Sequence, residues 1–245
     1  MIRFFTAIFC IVFTLSLTIP HYIGGFIFHL VLTTVCLIEF NPSLVSFVIY
    51  LIINLYHVGM IDRSIFNLVP SILLIVPTYH LFFSRKIKEI GKDLLGIVWI
   101  VIPMSVSYFL CYDGYGNYDP RTMYGIMIFV FFGDAGAYIL GKIFGKTKLC
   151  DVSPNKTIEG SIGGALTSLA CLSWVSFALG ENHPWVPVCL LSIVGGILGD
   201  LVESMVKRDL QIKDTGVVLP GHGGVLDRID GYLFASCLVY SYLNI

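Results

Sequence analysis

The chemistry-bearing residues of this chain gather in one stretch, Ser204 to Asp230, which reads SMVKRDLQIKDTGVVLPGHGGVLDRID. Lys207, Arg208, Lys213 and Arg228 stand there among Asp214, Asp227 and Asp230, with His222 in a Pro-Gly-His-Gly-Gly turn. Glycines such as Gly223 and Gly224 let a backbone bend into conformations closed to other residues and bring N–H groups close to a phosphate. Just upstream, Asp200, Glu203, Ser204 and Lys207 fall at i, i+3, i+4 and i+7, which puts all four on one face of a helix. Asp227 and Asp230 repeat the i, i+3 spacing. Asp200, Asp227 and Asp230 at one boundary would repel one another without a cation between them, and all-oxygen ligands suit magnesium or calcium rather than zinc. The local chemistry is therefore a divalent cation, a polyphosphate and an anionic partner brought together. The plainer readings are an ion-paired packing face for the first group and helix capping for Asp227.

A second polar block precedes it. Asp134 interrupts the apolar run FVFFGDAGAYILGKIF, where a carboxylate at membrane depth costs about 2.5–3.5 kcal/mol and signals a function or a partner. Lys142, Lys146, Lys148 and Lys156 follow. Clustered lysines beside a membrane more often face anionic lipid than line a catalytic site.

The elements that must position these groups are membrane helices. The chain is 245 residues long, 56% hydrophobic and only 13% charged, with a mean hydropathy of +0.86, against about 25% charged residues in soluble domains. Uncharged stretches recur at 4–38, 40–61, 64–84, 94–112, 160–180, 182–199 and 231–245. Most approach the roughly 20 residues that cross about 30 Å of hydrocarbon, and none shows a barrel's alternation. The expected fold is all-α: a polytopic integral membrane protein of about nine transmembrane helices. The spans are expected near 3–19, 22–40, 43–61, 65–83, 94–112, 124–143, 160–180, 186–206 and 229–245. With the N-terminus in the cytoplasm, all but Arg63 and Arg121 of the 15 Lys and Arg fall on the cytoplasmic side, as the positive-inside rule requires. Residues 1–120 are then a transmembrane scaffold and 121–245 the catalytic region of one continuous membrane domain. The net charge of −1 says nothing about partners. The seven cysteines form no C-x-x-C pair and read as apolar packing residues.

The Ser204–Asp230 segment resembles the signature of the phosphatidate cytidylyltransferases, the CDP-diacylglycerol synthases, matching every specified position of it. Gly133-Asp134-Ala-Gly-Ala-Tyr138, Gly141-Lys142, Phe144-Gly145-Lys146 and Ser153-Pro154-Asn155-Lys156-Thr157-Ile-Glu159-Gly160 resemble a second block of the same family, with Asn155 standing where lysine is usual. The resemblance covers about residues 130–230. It implies condensation of CTP with phosphatidate to CDP-diacylglycerol and pyrophosphate, with Mg2+ beside a monovalent cation such as K+. On that resemblance Asp200 and Asp227 are the leading metal ligands and Asp230 the third. Lys207, Arg208, Lys213 and Arg228 neutralise phosphates, and Lys148 and Lys156 complete the anion site. Ser204, Gly223, Gly224 and Asp214 contribute to substrate binding, Asp214 by orienting Lys213 or holding a second cation. His222 serves as a hydrogen-bonding group in preference to a general base, since a phosphate monoester is already ionised near neutral pH. Asp134, Tyr138 and Glu203 are cavity candidates without a role. The implied partners are the two substrates and membrane lipids; a homodimer is compatible with this, and no nucleic acid is expected. The expected location is a bacterial-type cytoplasmic membrane with the site facing the cytoplasm. Two readings compete: a CTP-dependent polyprenol or phytol kinase, and a cation-coupled transporter, whose polar groups should instead be distributed across the bilayer.

Overall fold

The computed structural model describes residues 22–40, 48–49, 76–81, 87–112, 117–216, 218 and 223–243. Among these the regular structure is helical, with isolated backbone bridges and no strand. The helices are α1 (Tyr22–Phe40), α2 (Ile87–Gly96), α3 (Ile102–Phe109), α4 (Arg121–Phe144), α5 (Ile158–Ala170), α6 (Leu172–Leu179), α7 (Trp185–Asp209) and α8 (Leu226–Leu243). Five stretches among the described residues are long and apolar enough to cross a membrane: Ile23–Phe40, Ile87–Phe109, Arg121–Phe144, Ile158–Leu179 and Trp185–Asp209. This is an all-α, polytopic membrane fold. The spans expected at 3–19 and 43–61, and most of that at 65–83, lie outside the described residues or touch them only at 48–49 and 76–81.

Two boundaries differ from expectation. The segment 84–93, expected as a charged connection, is helical from Ile87, and α2 runs through a π-helical turn at Ile97–Val101 into α3. Its charge is accommodated because Asp93, 1% exposed, pairs with His80, 2% exposed, at 2.9 Å. Pro103 lacks the N–H that a regular ladder would use, which accounts for the irregular turn ahead of it. At the other end of the chain, α8 begins at Leu226 and carries Asp227, Arg228 and Asp230 in its first two turns. The helix expected over 229–245 therefore starts inside the signature.

Apolar side chains facing outward, among them Phe131, Ile143, Leu166 and Phe177, suit lipid, so packing inside the bundle has to come from close backbone approach. α4 and α5 meet on small residues. A Cβ added at Gly164 would lie 2.6 Å from the Gly133 carbonyl oxygen, and one at Gly133 would lie 2.9 Å from Ser168 Oγ. Ser168 Oγ donates to the Phe129 carbonyl at 2.7 Å, and Thr167 Oγ1 to that of Phe132 at 3.0 Å. α7 and α8 meet in the same way: Gly199 faces the Asp230 carbonyl directly, and a Cβ at Gly231 would come within 3.0 Å of Gly196 Cα. These four helices hold the functional groups. Behind α8, Tyr232 OH, Ser107 Oγ of α3 and His29 Nε2 of α1 form a buried hydrogen-bonded chain, with His29 Nδ1 donating to the Gly25 carbonyl at 2.8 Å.

Candidate active site

At one end of this bundle α4, α5, α7, α8 and the connection 145–157 enclose a cavity of about 610 Å3. Its wall carries four cations, Lys142, Lys156, Lys207 and Arg228, and six acids, Asp134, Asp200, Glu203, Asp214, Asp227 and Asp230. Apolar residues of α4 and α7, such as Phe129, Val130 and Ile193, close the inner part. The mixture can hold a multiply charged anion and a cation against an apolar inner wall.

The Ser153–Gly160 block folds by local chemistry. Thr157 caps α5 by accepting from Gly160 N at 3.1 Å. The Glu159 carboxylate reaches back to Lys146 N and Thr147 N at 3.1 Å each. Backbone bonds from Leu149 N to the Lys156 carbonyl, 2.9 Å, and from Ile158 N to that of Thr147, 3.0 Å, close the loop. The fold-back carries Lys156 across to α7, where its ammonium pairs with Asp200. Lys148 pairs with Thr157 through the backbone, and its exposed side chain is not among those lining the cavity.

On α7 three of the four residues spaced i, i+3, i+4, i+7, namely Asp200, Glu203 and Lys207, line the site. Lys207 Nζ donates to Glu203 Oε2 at 2.6 Å and to Asp227 Oδ1 at 2.9 Å, which ties α7 to α8. Asp227 Oδ2 also accepts from Thr215 N at 2.9 Å and Gly224 N at 2.7 Å, so this carboxylate closes the signature loop onto the start of α8. Gly223 adopts φ +84°, and a Cβ there would lie 2.9 Å from Asp227 Oδ2, so both its conformation and its contact call for glycine. Ser204 is buried beside this face, whereas Arg208 and Lys213 are exposed and not among the cavity-lining residues. His222 lies outside the described residues.

One oxygen from each of Asp200, Glu203 and Asp230 falls within 4.8 Å of the others. Glu203 is 1% and Asp230 7% exposed. Glu203 Oε1 is buried without a hydrogen-bond partner, a state that costs free energy unless a cation answers it. Three hard oxygen donors with one orphaned buried atom fit a magnesium- or calcium-type ion. The sequence nominated Asp200, Asp227 and Asp230; the grouped oxygens are those of Asp200, Glu203 and Asp230, while Asp227, on the same cavity wall, is bonded to Lys207 and the loop amides.

Two contributors escaped the sequence reading. Glu39, at the end of α1, accepts from Val225 N at 2.9 Å and Leu226 N at 3.0 Å. Its signal was present, since it is the lone charge separating the apolar runs 4–38 and 40–61. Lys142, counted there among clustered membrane-flanking lysines, lines the cavity.

A family model of the cytidylyltransferases matches residues 1–245, the whole chain. The chain belongs to the cytidylyltransferase family. It is thereby a nucleotidyltransferase. It is 36% identical over 207 residues to a phosphatidate cytidylyltransferase of Staphylococcus aureus (strain COL), covering 81% of this chain and 77% of that protein. It is 32% identical over 194 residues to the phosphatidate cytidylyltransferase of Bacillus subtilis (strain 168), covering 78% and 71%. A phosphatidate cytidylyltransferase of Synechocystis is 42% identical over 132 residues, which are 52% of this chain and 45% of that one.

Proposed function

We propose that this cytidylyltransferase condenses CTP with phosphatidate, giving CDP-diacylglycerol and pyrophosphate. The observation that carries the reading is the cavity itself, with four cations and six acids placed at one end of an apolar bundle. A soluble triphosphate and a membrane-held phosphate can meet there, which neither a channel across the bilayer nor a purely apolar pocket provides. A phosphatidate oxygen attacks the α-phosphorus of CTP, a new P–O bond forms, and the bond to the β-phosphate oxygen breaks with pyrophosphate leaving.

Lys207 and Arg228 on one wall, and Lys142 and Lys156 on the other, neutralise the two anions as they approach and fix them in line. Asp200, Glu203 and Asp230 would hold magnesium, whose bound charge supports the triphosphate and the departing pyrophosphate. Asp227 holds Lys207 and the glycine loop in place beside them. With a phosphate already ionised, no protein base is needed for the attack. The basic connections support a cytoplasm-facing site in a bacterial-type cytoplasmic membrane, where CTP is available.

The test is purified protein with phosphatidate, magnesium and CTP labelled either in cytidine or in the γ-phosphate. Cytidine label should enter lipid and γ-label should leave as pyrophosphate, with both lost on chelation. γ-Label in lipid with soluble CDP would identify a lipid kinase instead and overturn the proposal.

A further inference from the structure

The cavity is built from residues after 120, yet its glycine loop and the helix behind it are fastened by a residue of the first described helix. Glu39 receives the N–H groups of Val225 and Leu226, one on each carboxylate oxygen, at 2.9 and 3.0 Å. Those donors sit at the N-terminus of α8, where a helix has N–H groups without intrahelical partners and favours negative charge. The loop is shaped around the carboxylate. A Cβ at Gly216 would lie 2.6 Å from Glu39 Oε1, and one at Gly224 would lie 2.7 Å from Oε2. Asp227 accepts from the same Gly224 through its N–H, so the two carboxylates grip the loop from opposite sides. Further along α8, the chain Tyr232–Ser107–His29 leads back to α1. α8 is thus tied to α1 directly at its start and through α3 one and a half turns later.

We propose that Glu39 is a positioning residue of the reaction: it fixes Gly216 and Gly224–Leu226 and the start of α8, and through them the placement of Asp227 and Asp230. The naming of a reaction rests on the function proposed above. The contact itself does not. Both oxygens must accept, so an isosteric amide cannot replace the carboxylate. In Glu39→Gln one backbone N–H would face an NH2 group, leaving a donor unpaired with no change of volume.

Two readouts separate positioning from filling space. In hydrogen exchange of the intact detergent-solubilised protein, amides 225 and 226 should exchange at least about tenfold faster in Glu39→Gln, with those of α4 unchanged as a control for folding. In the cytidylyl-transfer assay the same variant should lose at least about tenfold in kcat, because small misplacements of reacting groups are costly, while KM for CTP stays within about twofold. Gly216→Ala, which pushes on Glu39 Oε1 from the loop side, should give the same pair of changes. Unchanged exchange at 225 and 226 overturns the proposal whatever the activity. Faster exchange with wild-type kcat also overturns it, since the loop's position would not matter. If the wild-type protein transfers no cytidylyl group while the variant's two amides still loosen, the anchoring stands and the proposed reaction falls.

Discussion

Asp200 joins the two halves of the site, and replacing it by asparagine separates two effects of opposite sign. Its carboxylate oxygen lies within 4.8 Å of those of Glu203 and Asp230. Two unit charges at that distance repel by about 3–4 kcal/mol at an effective dielectric of about 20. Against relief of those repulsions stands loss of the Lys156 ion pair: its side chains are 26% and 39% exposed but the Lys156 Nζ atom is buried, so the loss lies between the about 0–1 kcal/mol of a surface pair and the about 3–5 kcal/mol of a buried one, below the two repulsions together. With chelator present, Asp200→Asn should therefore be no less stable than the wild type. Magnesium reverses the order. At about 100 times Kd it stabilises the wild type by about 2.7 kcal/mol, or roughly 5–10 °C at about 2–4 °C per kcal/mol. A variant binding about 100-fold more weakly gains only about 0.4 kcal/mol at the same concentration. Thermal unfolding of the detergent-solubilised protein, with magnesium titrated into a chelated sample, measures both arms, and cytidylyl transfer should fall to background in the variant. A magnesium-induced shift of wild-type size in Asp200→Asn would refute the three-carboxylate site. So would a variant clearly less stable than the wild type in chelator, because the repulsion argument would then have the wrong sign.

Lys207→Met removes the ammonium between Glu203 and Asp227, whose side chains are 2% and 3% exposed. It should cost about 3–5 kcal/mol of stability and abolish transfer, and adding Glu203→Gln should recover much of the stability in a denaturation assay. Gly199→Ala drives a methyl group against the Asp230 carbonyl; the parting of α7 and α8 should raise the magnesium concentration for half-maximal activity several-fold, and an unchanged midpoint would contradict the packing account. At the opposite end of α4 and α7, Asp119 accepts from Arg121 Nε and Nη2 at 2.7 and 2.6 Å and lies 3.4 Å from His183 Nε2. Burial pushes the Asp119 carboxyl up, but the hydrogen bonds and charge of Arg121 outweigh it and hold it below its usual range. Burial lowers the His183 imidazole below its ordinary value of 6.5, with Asp119 restoring only part of the shift. In both cases the unfolded chain binds more protons, so stability is complete above the unfolded value and is lost as pH falls through that range. The unfolding midpoint should drop between pH 7 and 5, and His183→Gln should flatten that drop; an equally steep profile in the variant would remove His183 from the pH response.

Much of the site was legible because its residues are neighbours in sequence. The spacing of Asp200, Glu203, Ser204 and Lys207 is a property of any helix, so their common face needed no tertiary information, and the structure shows Lys207 bonded to Glu203 four residues away. Lys148 and Lys156 of the connection 145–157 could be marked as anion-binding, but only the folded loop shows that Lys156 reaches the cavity and Lys148 does not. Charge counting also marked 84–93 as a connection, since it could not foresee that His80 would bury Asp93 inside a helix.

What the sequence determined by itself is the solvent and the inventory: apolar runs of spanning length require helices in lipid, and the charged minority gathers in short stretches between and at the ends of those runs. Which acid stands beside which was decided by tertiary structure. Asp200 and Asp230 come together because glycines at 196, 199 and 231 let two backbones touch, and Asp227 turns to Lys207 and the loop amides because those donors lie nearer to it. Glu39 shows the division most clearly. A lone carboxylate at the end of an apolar run carries no information about its partner, and its partners are 186 and 187 residues away. Contacts across such separations are set by how helices pack, a property that no local spacing encodes.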